Sequence, residues 1–194
     1  MARKRKPKSR SRRPARPTPP KARRPKLEAP PTPRRPPKAI DAQAKTLALA
    51  AEPPVDREPD HLVRAFWTRL EQTLQDLEAA GTPFRFVEGF RSVERQQWLF
   101  GSGRPSAPFG RPGPVVTFKD GVKARSNHQG DGTSGSGRAA DCYPLKDGRV
   151  FIPKAADPVW EAYARAAEAR GLVSGHHWKS FQDAPHCELP PDPA

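Results

Sequence analysis

Proline and charge divide this chain before any secondary structure is considered. Eleven of the first 38 residues are proline, and apart from Met1 the only large apolar side chain among them is Leu27. Such a segment cannot bury enough apolar surface to offset the entropy of ordering it, so residues 1–38 are expected to be disordered and partly polyproline-like. Residues 1–40 carry 16 Lys and Arg against one acid, Glu28, a net of +15. The other 154 residues carry 19 basic and 20 acidic side chains, a net of −1, so the +14 of the whole chain belongs to the tail. A neutral body rules out a basic nucleic-acid-binding domain.

An Ala-rich and then Pro-rich linker follows over residues 39–58. The expected organisation is a cationic Pro-rich tail and linker, 1–56, followed by one domain, 57–190, long enough for a modest core. No apolar run approaches the roughly 18 residues of a membrane span. No apolar segment follows the basic start, so a standard export signal is not expected. Two cysteines cannot staple a chain of 194 residues, which excludes a disulfide scaffold.

Within the body, Leu62, Val63, Phe66, Leu70, Leu74 and Leu77 recur at helical spacing, with Gly81 as the stop. Phe84 to Glu88 alternates like a strand. Ser92 is placed to cap a short helix carrying Gln96, Trp98, Leu99 and Phe100. Residues 101–114 read as loop, Val115-Val116-Thr117 as a brief strand, and Gly130 to Gly137 as a Gly/Ser loop. Ala139 to Leu145 reads as a strand that turns into Val150-Phe151-Ile152. Asp157-Pro158 opens a second helix ended by Gly171. Short strands are expected around Leu172-Val173 and from His186 to Leu189. Helices and strands mix without a βαβ rhythm, so the expected class is α+β: a small mixed or antiparallel sheet flanked by helices.

The polar residues suggest what such a sheet could carry. His128 lies in Ser126-Asn127-His128, Asp141 ends Gly137-Arg138-Ala139-Ala140-Asp141, and His186 follows Asp183-Ala184-Pro185. Two imidazoles and one carboxylate at strand edges make a three-ligand zinc site with one position left for water. Pro185 disfavours a helical turn at Ala184, so Asp183 is expected on the turn entering the last strand. A carboxylate there stands near the metal without binding it, where a general base for water belongs.

Three stretches together resemble the zinc D,L-peptidases of the cell wall. Gly89-Phe90-Arg91-Ser92-Val93-Glu94-Arg95-Gln96, continuing to Leu99-Phe100 and Gly103-Arg104, resembles that superfamily's Gly-aromatic-Arg-Ser-x-Glu-x-Gln stretch. Ser126, His128, Gly137, Ala139 and Asp141 follow its metal motif in order. Trp178-Lys179-Ser180-Phe181-Gln182-Asp183-Ala184-Pro185-His186 is most similar to the branch of L-alanyl-D-glutamate endopeptidases found in phage lysins. The D-alanyl-D-alanine carboxypeptidases and the vancomycin-resistance dipeptidases share the scaffold. The resemblance implies one zinc ion held by His128, Asp141 and His186, with Asp183 as base and Arg91 holding the carbonyl oxygen as charge develops on it. Ser126, Gln96 and Glu188 are expected to support the ligands or contact substrate. The implied substrate is the peptidoglycan stem peptide, cut at the L-Ala–D-Glu bond. A carboxypeptidase or dipeptidase on the same scaffold is the nearest alternative, and a non-catalytic polyanion-binding protein the more distant one.

One departure stands out. The family places two residues between the metal-binding His and the following Gly, whereas this chain has eight, Gln129 to Ser136. The interval between His128 and Asp141 thus doubles from six residues to twelve, and doubling a flexible loop costs only about 0.6 kcal/mol in closure entropy, so the insertion is tolerable. It also brings Asp131 near His128 as a rival ligand, with Asp141 preferred for its place in the motif. His176 and His177, where relatives have Gly and Asp, are read as a turn before Trp178 rather than as ligands. Strand alternation turns Cys142 and Cys187 into the core as small buried hydrophobes, with a disulfide possible if their strands are neighbours. Trp98, Trp160 and Tyr163 are read as core or helix-packing residues.

A tail this basic pairs non-specifically with polyanions, either nucleic acid or anionic envelope polymers, and it has no aromatic residue to stack on bases. The chain is expected to be a monomer made in the cytoplasm and to reach the wall after release at lysis.

Overall fold

The computed structural model describes residues 51–191, so the cationic tail and most of the linker lie outside the described residues. Eight regular elements follow in order: α1 (Arg64–Ala79), β1 (Phe84–Glu88), α2 (Val93–Phe100), β2 (Ala139–Lys146), β3 (Arg149–Val150), α3 (Pro158–Ala169), β4 (Val173–Ser174) and β5 (His186–Glu188). Short 3₁₀ turns form at Pro59–His61, Asn127–Gln129 and Gly175–His177. The strands make one antiparallel sheet in the order β1-β2-β5-β4, with β3 paired to the far end of β2. The expected α+β class, a small antiparallel sheet flanked by helices, is what the chain adopts.

Local chemistry explains the helices. Ser92 caps α2 by accepting from Arg95 N, and Asp157 caps α3 from Val159 N with Pro158 in the first turn. The apolar stripe of α1 buries Phe66, Leu70 and Leu77. These meet Trp160, Tyr163 and Ala167 of α3 beneath the sheet, whose lower face contributes Phe84, Ala140, Cys142 and Cys187. Phe84 stacks on Tyr163 with ring centroids 4.8 Å apart. A bidentate pair from Arg170 Nε and Nη2 to Asp76, both 2.7 Å, ties the ends of the two helices together.

Two expectations need correction. Val115-Val116-Thr117 is not a strand. Pro112 and Pro114 remove ladder donors on its flank. The stretch is instead held by single contacts, Ser102 Oγ to the Pro114 carbonyl (2.7 Å) and Gln96 Nε2 to Thr117 Oγ1 (3.2 Å). The body also begins before residue 57. Glu52 pairs with Arg95, Asp56 accepts from Gly89 N at 2.9 Å, and Arg57 Nε reaches the Val87 carbonyl at 2.9 Å. Among the described residues no helix is long and apolar enough to cross a membrane.

Candidate metal centre

The upper face of the sheet carries the polar residues. Asp141 on β2 lies directly opposite His186 on β5, and Ala139 lies opposite Glu188. Asp141, His186 and Glu188 therefore share one face, while Cys142 and Cys187 share the other. His128 arrives from outside the sheet, on the turn Asn127–Gln129. Ser126 and Gln129 close a capping box around that turn, and Gln129 Nε2 anchors it to the Gly121 carbonyl at 3.0 Å. Arg91 N donates to the His128 carbonyl (3.1 Å), and His128 Nδ1 donates to the Gly89 carbonyl (2.7 Å). Gly89 itself is packed tightly, since a Cβ there would stand 2.6 Å from the Phe86 ring.

These elements bring three donor atoms together. His128 Nε2 lies 3.2 Å from His186 Nδ1, which lies 3.2 Å from Asp141 Oδ1, and the third edge is 3.5 Å. Both histidines are buried. His128 spends its Nδ1 proton on the Gly89 carbonyl. His186 Nε2 is 3.0 Å from Glu188 Oε2 and donates to that carboxylate. When both rings are neutral, as metal binding requires, each turns a lone pair toward Asp141; without an ion, His186 can instead carry a second proton on Nδ1 and donate it to Asp141 Oδ1 at 3.2 Å. In the neutral form three acceptors face one another in a buried site, which a cation between them, a proton or a metal ion, stabilises. Donors about 2.0–2.1 Å from a tetrahedral zinc ion would stand about 3.3 Å apart, so the observed triangle fits such an ion.

The surrounding charges favour positive charge at this point. Burial lowers His128 below its ordinary value, helped by the Arg91 guanidinium. Burial works the same way on His186, but the carboxylates of Asp141 and Glu188 outweigh it and push that imidazole up to about 9. Glu188, although burial raises it, is held below its usual range by His186 and Asn127. Asp183 enters the same cleft from the turn before β5. Burial, reinforced by the Asp141 charge, raises its carboxyl to about 6.

The turn carrying Asp183 is fixed by backbone. Asp183 N donates to the Gly175 carbonyl (2.9 Å), and His186 N donates to the Asp183 carbonyl (3.2 Å). The cleft around the triad has a volume of about 770 Å³, with Tyr143, Trp178, Phe118 and Phe181 among its walls. Phe118 and Phe181 meet edge to face at 5.1 Å across the two loops that border it.

Placement differs from expectation at several residues. Arg91 lines the cleft, but its Nη2 is given to Glu88 Oε2 at 2.8 Å and to Asp141 Oδ2, because two carboxylates lie within reach. Gln96 is fully buried under the loop, with Nε2 on the Lys119 carbonyl at 2.9 Å. It props the cleft wall and does not face the cleft. Ser126 caps the His128 turn and lines the cleft. Asp131 turns away, with Oδ1 accepting from Thr133 N (2.8 Å) and Oγ1 (2.6 Å), and those bonds hold its carboxyl at about 2. The insertion closes on itself and on the 3₁₀ turn before α1, through Gly135 N to the His61 carbonyl at 3.0 Å. Cys142 and Cys187 sit on neighbouring strands as free thiols.

Residues 120–189 match the peptidase family M15 model described as D-alanyl-D-alanine carboxypeptidase. This stretch carries His128, Asp141, Asp183 and His186, and it spans the turn, β2 and β5 that bring them together.

Over these residues the chain is similar to M15-family peptidases.

It is 28% identical over 134 residues to the peptidoglycan L-alanyl-D-glutamate endopeptidase CwlK of Bacillus subtilis, covering 63% of this chain and 72% of that protein. Among solved structures it is similar to the L-Ala D-Glu endopeptidase ChiX of Serratia marcescens. That match has a TM-score of 0.48 and 20% identity, over 68% of this chain and 83% of the other. Glu88 and Tyr143 are among the cleft residues that motif reading passes over. Glu88 belongs to a strand whose alternation points it into the core, and Tyr143 lies two residues past the metal motif, on the same face as Asp141.

Proposed function

We propose that this domain is a zinc peptidase of the M15 type that hydrolyses peptidoglycan stem peptides at the L-Ala–D-Glu bond. The observation that carries the reading is the convergence of His128 Nε2, Asp141 Oδ1 and His186 Nδ1 on one point, with both ring tautomers set by outside partners. A zinc ion held there would supply Lewis acidity and lower the pKa of water. The rest is the work of the chain. Glu188 and the Gly89 carbonyl keep the two imidazoles oriented, as partners behind metal-binding histidines do. Arg91 holds Asp141 Oδ2 so that Oδ1 points inward, and it places a permanent positive charge beside the carbonyl under attack.

Asp183 takes the proton from the attacking water and delivers it to the leaving amine. Its carboxyl, raised to about 6, is ionised at neutral pH yet basic enough to accept a proton during the reaction. Trp178, Phe118 and Phe181 give the peptide apolar walls. Every group in the site comes from one chain, so a monomer suffices. The endopeptidase reading is supported by the CwlK likeness and by the Trp178-to-His186 motif.

A D-alanyl-D-alanine carboxypeptidase is the second reading, favoured by the description of the matching family. Mass spectrometry of digested wall separates the two. Endopeptidase action frees stem peptides beginning at D-glutamate, whereas carboxypeptidase action removes terminal D-alanine only. Loss of wall clearing in His186→Ala, with loss of the ion, is expected; clearing that survives would overturn the enzyme reading. The cationic tail, rich in Lys and Arg, would hold the domain against anionic envelope polymers after release at lysis.

A further inference from the structure

A second set of metal-binding side chains converges outside the cleft. Glu161 stands in the first turn of α3, and His176 and His177 come from the 3₁₀ turn Gly175–His177. His177 Nε2 lies 2.9 Å from Glu161 Oε2, His176 Nε2 lies 3.8 Å from the same oxygen, and all three donors fall within 4.8 Å of one another. His177 Nδ1 lies 2.7 Å from Glu168 Oε1, two helical turns beyond Glu161. A proton donated there leaves the Nε2 lone pair facing Glu161, the same carboxylate–imidazole arrangement that Glu188 and His186 make in the cleft.

The local charge suits a cation. Glu161 and Glu168 together bring two negative charges, and Arg165, whose Nε is 2.6 Å from Glu161 Oε1, offsets one of them. His176 needs one adjustment. Its Nδ1 lies 3.2 Å from Gln182 Nε2, which also donates to the His176 carbonyl at 2.8 Å. Turning that amide over gives Nδ1 an acceptor, at the cost of the bond to the carbonyl.

We propose that Glu161, His176 and His177 form a second divalent-metal site, distinct from the cleft and filled out by water. Two imidazoles and a carboxylate suit zinc, nickel or cobalt better than magnesium or calcium. The ion clips the turn at residues 175–177 to α3. That turn accepts Asp183 N through the Gly175 carbonyl, so the clip braces the segment leading to β5. The site needs nothing from the cleft and stands whether or not the peptidase reading holds.

Zinc titration of the full-length protein against a chromophoric chelator tests it. Wild type is expected to bind two ions per chain, His177→Ala one and His186→Ala one. The double variant is expected to bind none, and Glu161→Gln to match His177→Ala. His177→Ala should keep wall-clearing activity while losing part of the rise in Tm that zinc gives wild type. One ion in wild type, lost on changing His186 but not His177, would mean that a proton rather than a metal joins Glu161 and His177, and the proposal falls. An ion that persists in the double variant is adventitious and overturns it as well. One ion lost with His177 alone would keep this site and remove the cleft's.

Discussion

Glu88 and Asp141 lie opposite each other across β1 and β2 because the register slips between Phe86 and Glu88, leaving Val87 as an extra residue in the strand. Phe84 and Phe86 pair with Pro144 and Cys142 on the core side, and unbroken alternation would have sent Glu88 there too. The bulge turns it to the cleft face. There its two oxygens hold Arg91 and Arg95, both at 2.8 Å, and Arg91 in turn holds Asp141.

Glu88 thus positions, through Arg91, the carboxylate proposed to bind the metal. Glu88→Gln keeps the shape but removes the charge that fixes Arg91, and a 10–100-fold loss of zinc affinity is expected, as for other partners behind metal ligands. Glu88→Ala leaves two buried guanidinium groups short of a partner and should cost about 3–5 kcal/mol of stability. Chelator competition and thermal unfolding measure the two effects. Wild-type zinc affinity in Glu88→Gln would detach Glu88 from the site.

On the proposed mechanism Asp183 sets the acid side of the pH profile. Its carboxyl, raised to about 6 by burial and by Asp141, works as a base only when ionised, so kcat/KM should fall as pH drops through that region. A divalent ion nearby favours the ionised form and moves this limb to lower pH, so it is expected at 6 or below. Asp183→Asn should lose about 10²–10⁴ of the rate with zinc still bound. Rates within tenfold of wild type in that variant would take the base role away from Asp183.

Much of this architecture is legible from local sequence, and the illegible parts have physical causes. The Phe84–Glu88 strand, the Ser92 cap and the Asp157-Pro158 helix start rest on neighbours within a few residues, and each forms as expected. His128, Asp141 and His186 lie far apart in sequence, and the order of the motifs rather than spacing is what groups them as candidate ligands. The bulge at Val87 has no local marker, so Glu88 was hidden. Gln96 lies in a matching motif, yet the loop folded over it decides that it faces inward. Val115 to Thr117 has strand-forming side chains but no neighbouring edge to pair with.

The two thiols should be inert in the native protein. Cys142 and Cys187 are buried on neighbouring strands beside Tyr163. Burial pushes Cys187 up to about 12 and Cys142 also well above its ordinary value. A thiolate is the reactive form, so a disulfide reagent at pH 8 should label neither thiol natively and both after denaturation. Reductant should leave Tm unchanged. Rapid native labelling, or a drop in Tm with reductant, would show that these positions are exposed or bridged.

Gly175 carries a tight steric demand beside the site. A Cβ there would stand 2.4 Å from the Asp183 carbonyl oxygen, 3.0 Å from His186 Cβ and 3.2 Å from Asp183 Cβ. The first of these is backbone, which cannot rotate away. Gly175→Ala must therefore displace the turn that carries Asp183 and His186, the proposed base and a proposed ligand. Overpacking of this kind costs about 1–3 kcal/mol. Activity should fall further than stability, because a displacement of about 1 Å in a reacting group can cost about 10²-fold in rate. Thermal unfolding gives the first quantity and wall-clearing rate the second. A Gly175→Ala protein that clears wall at the wild-type rate would mean that the turn does not control where Asp183 and His186 stand.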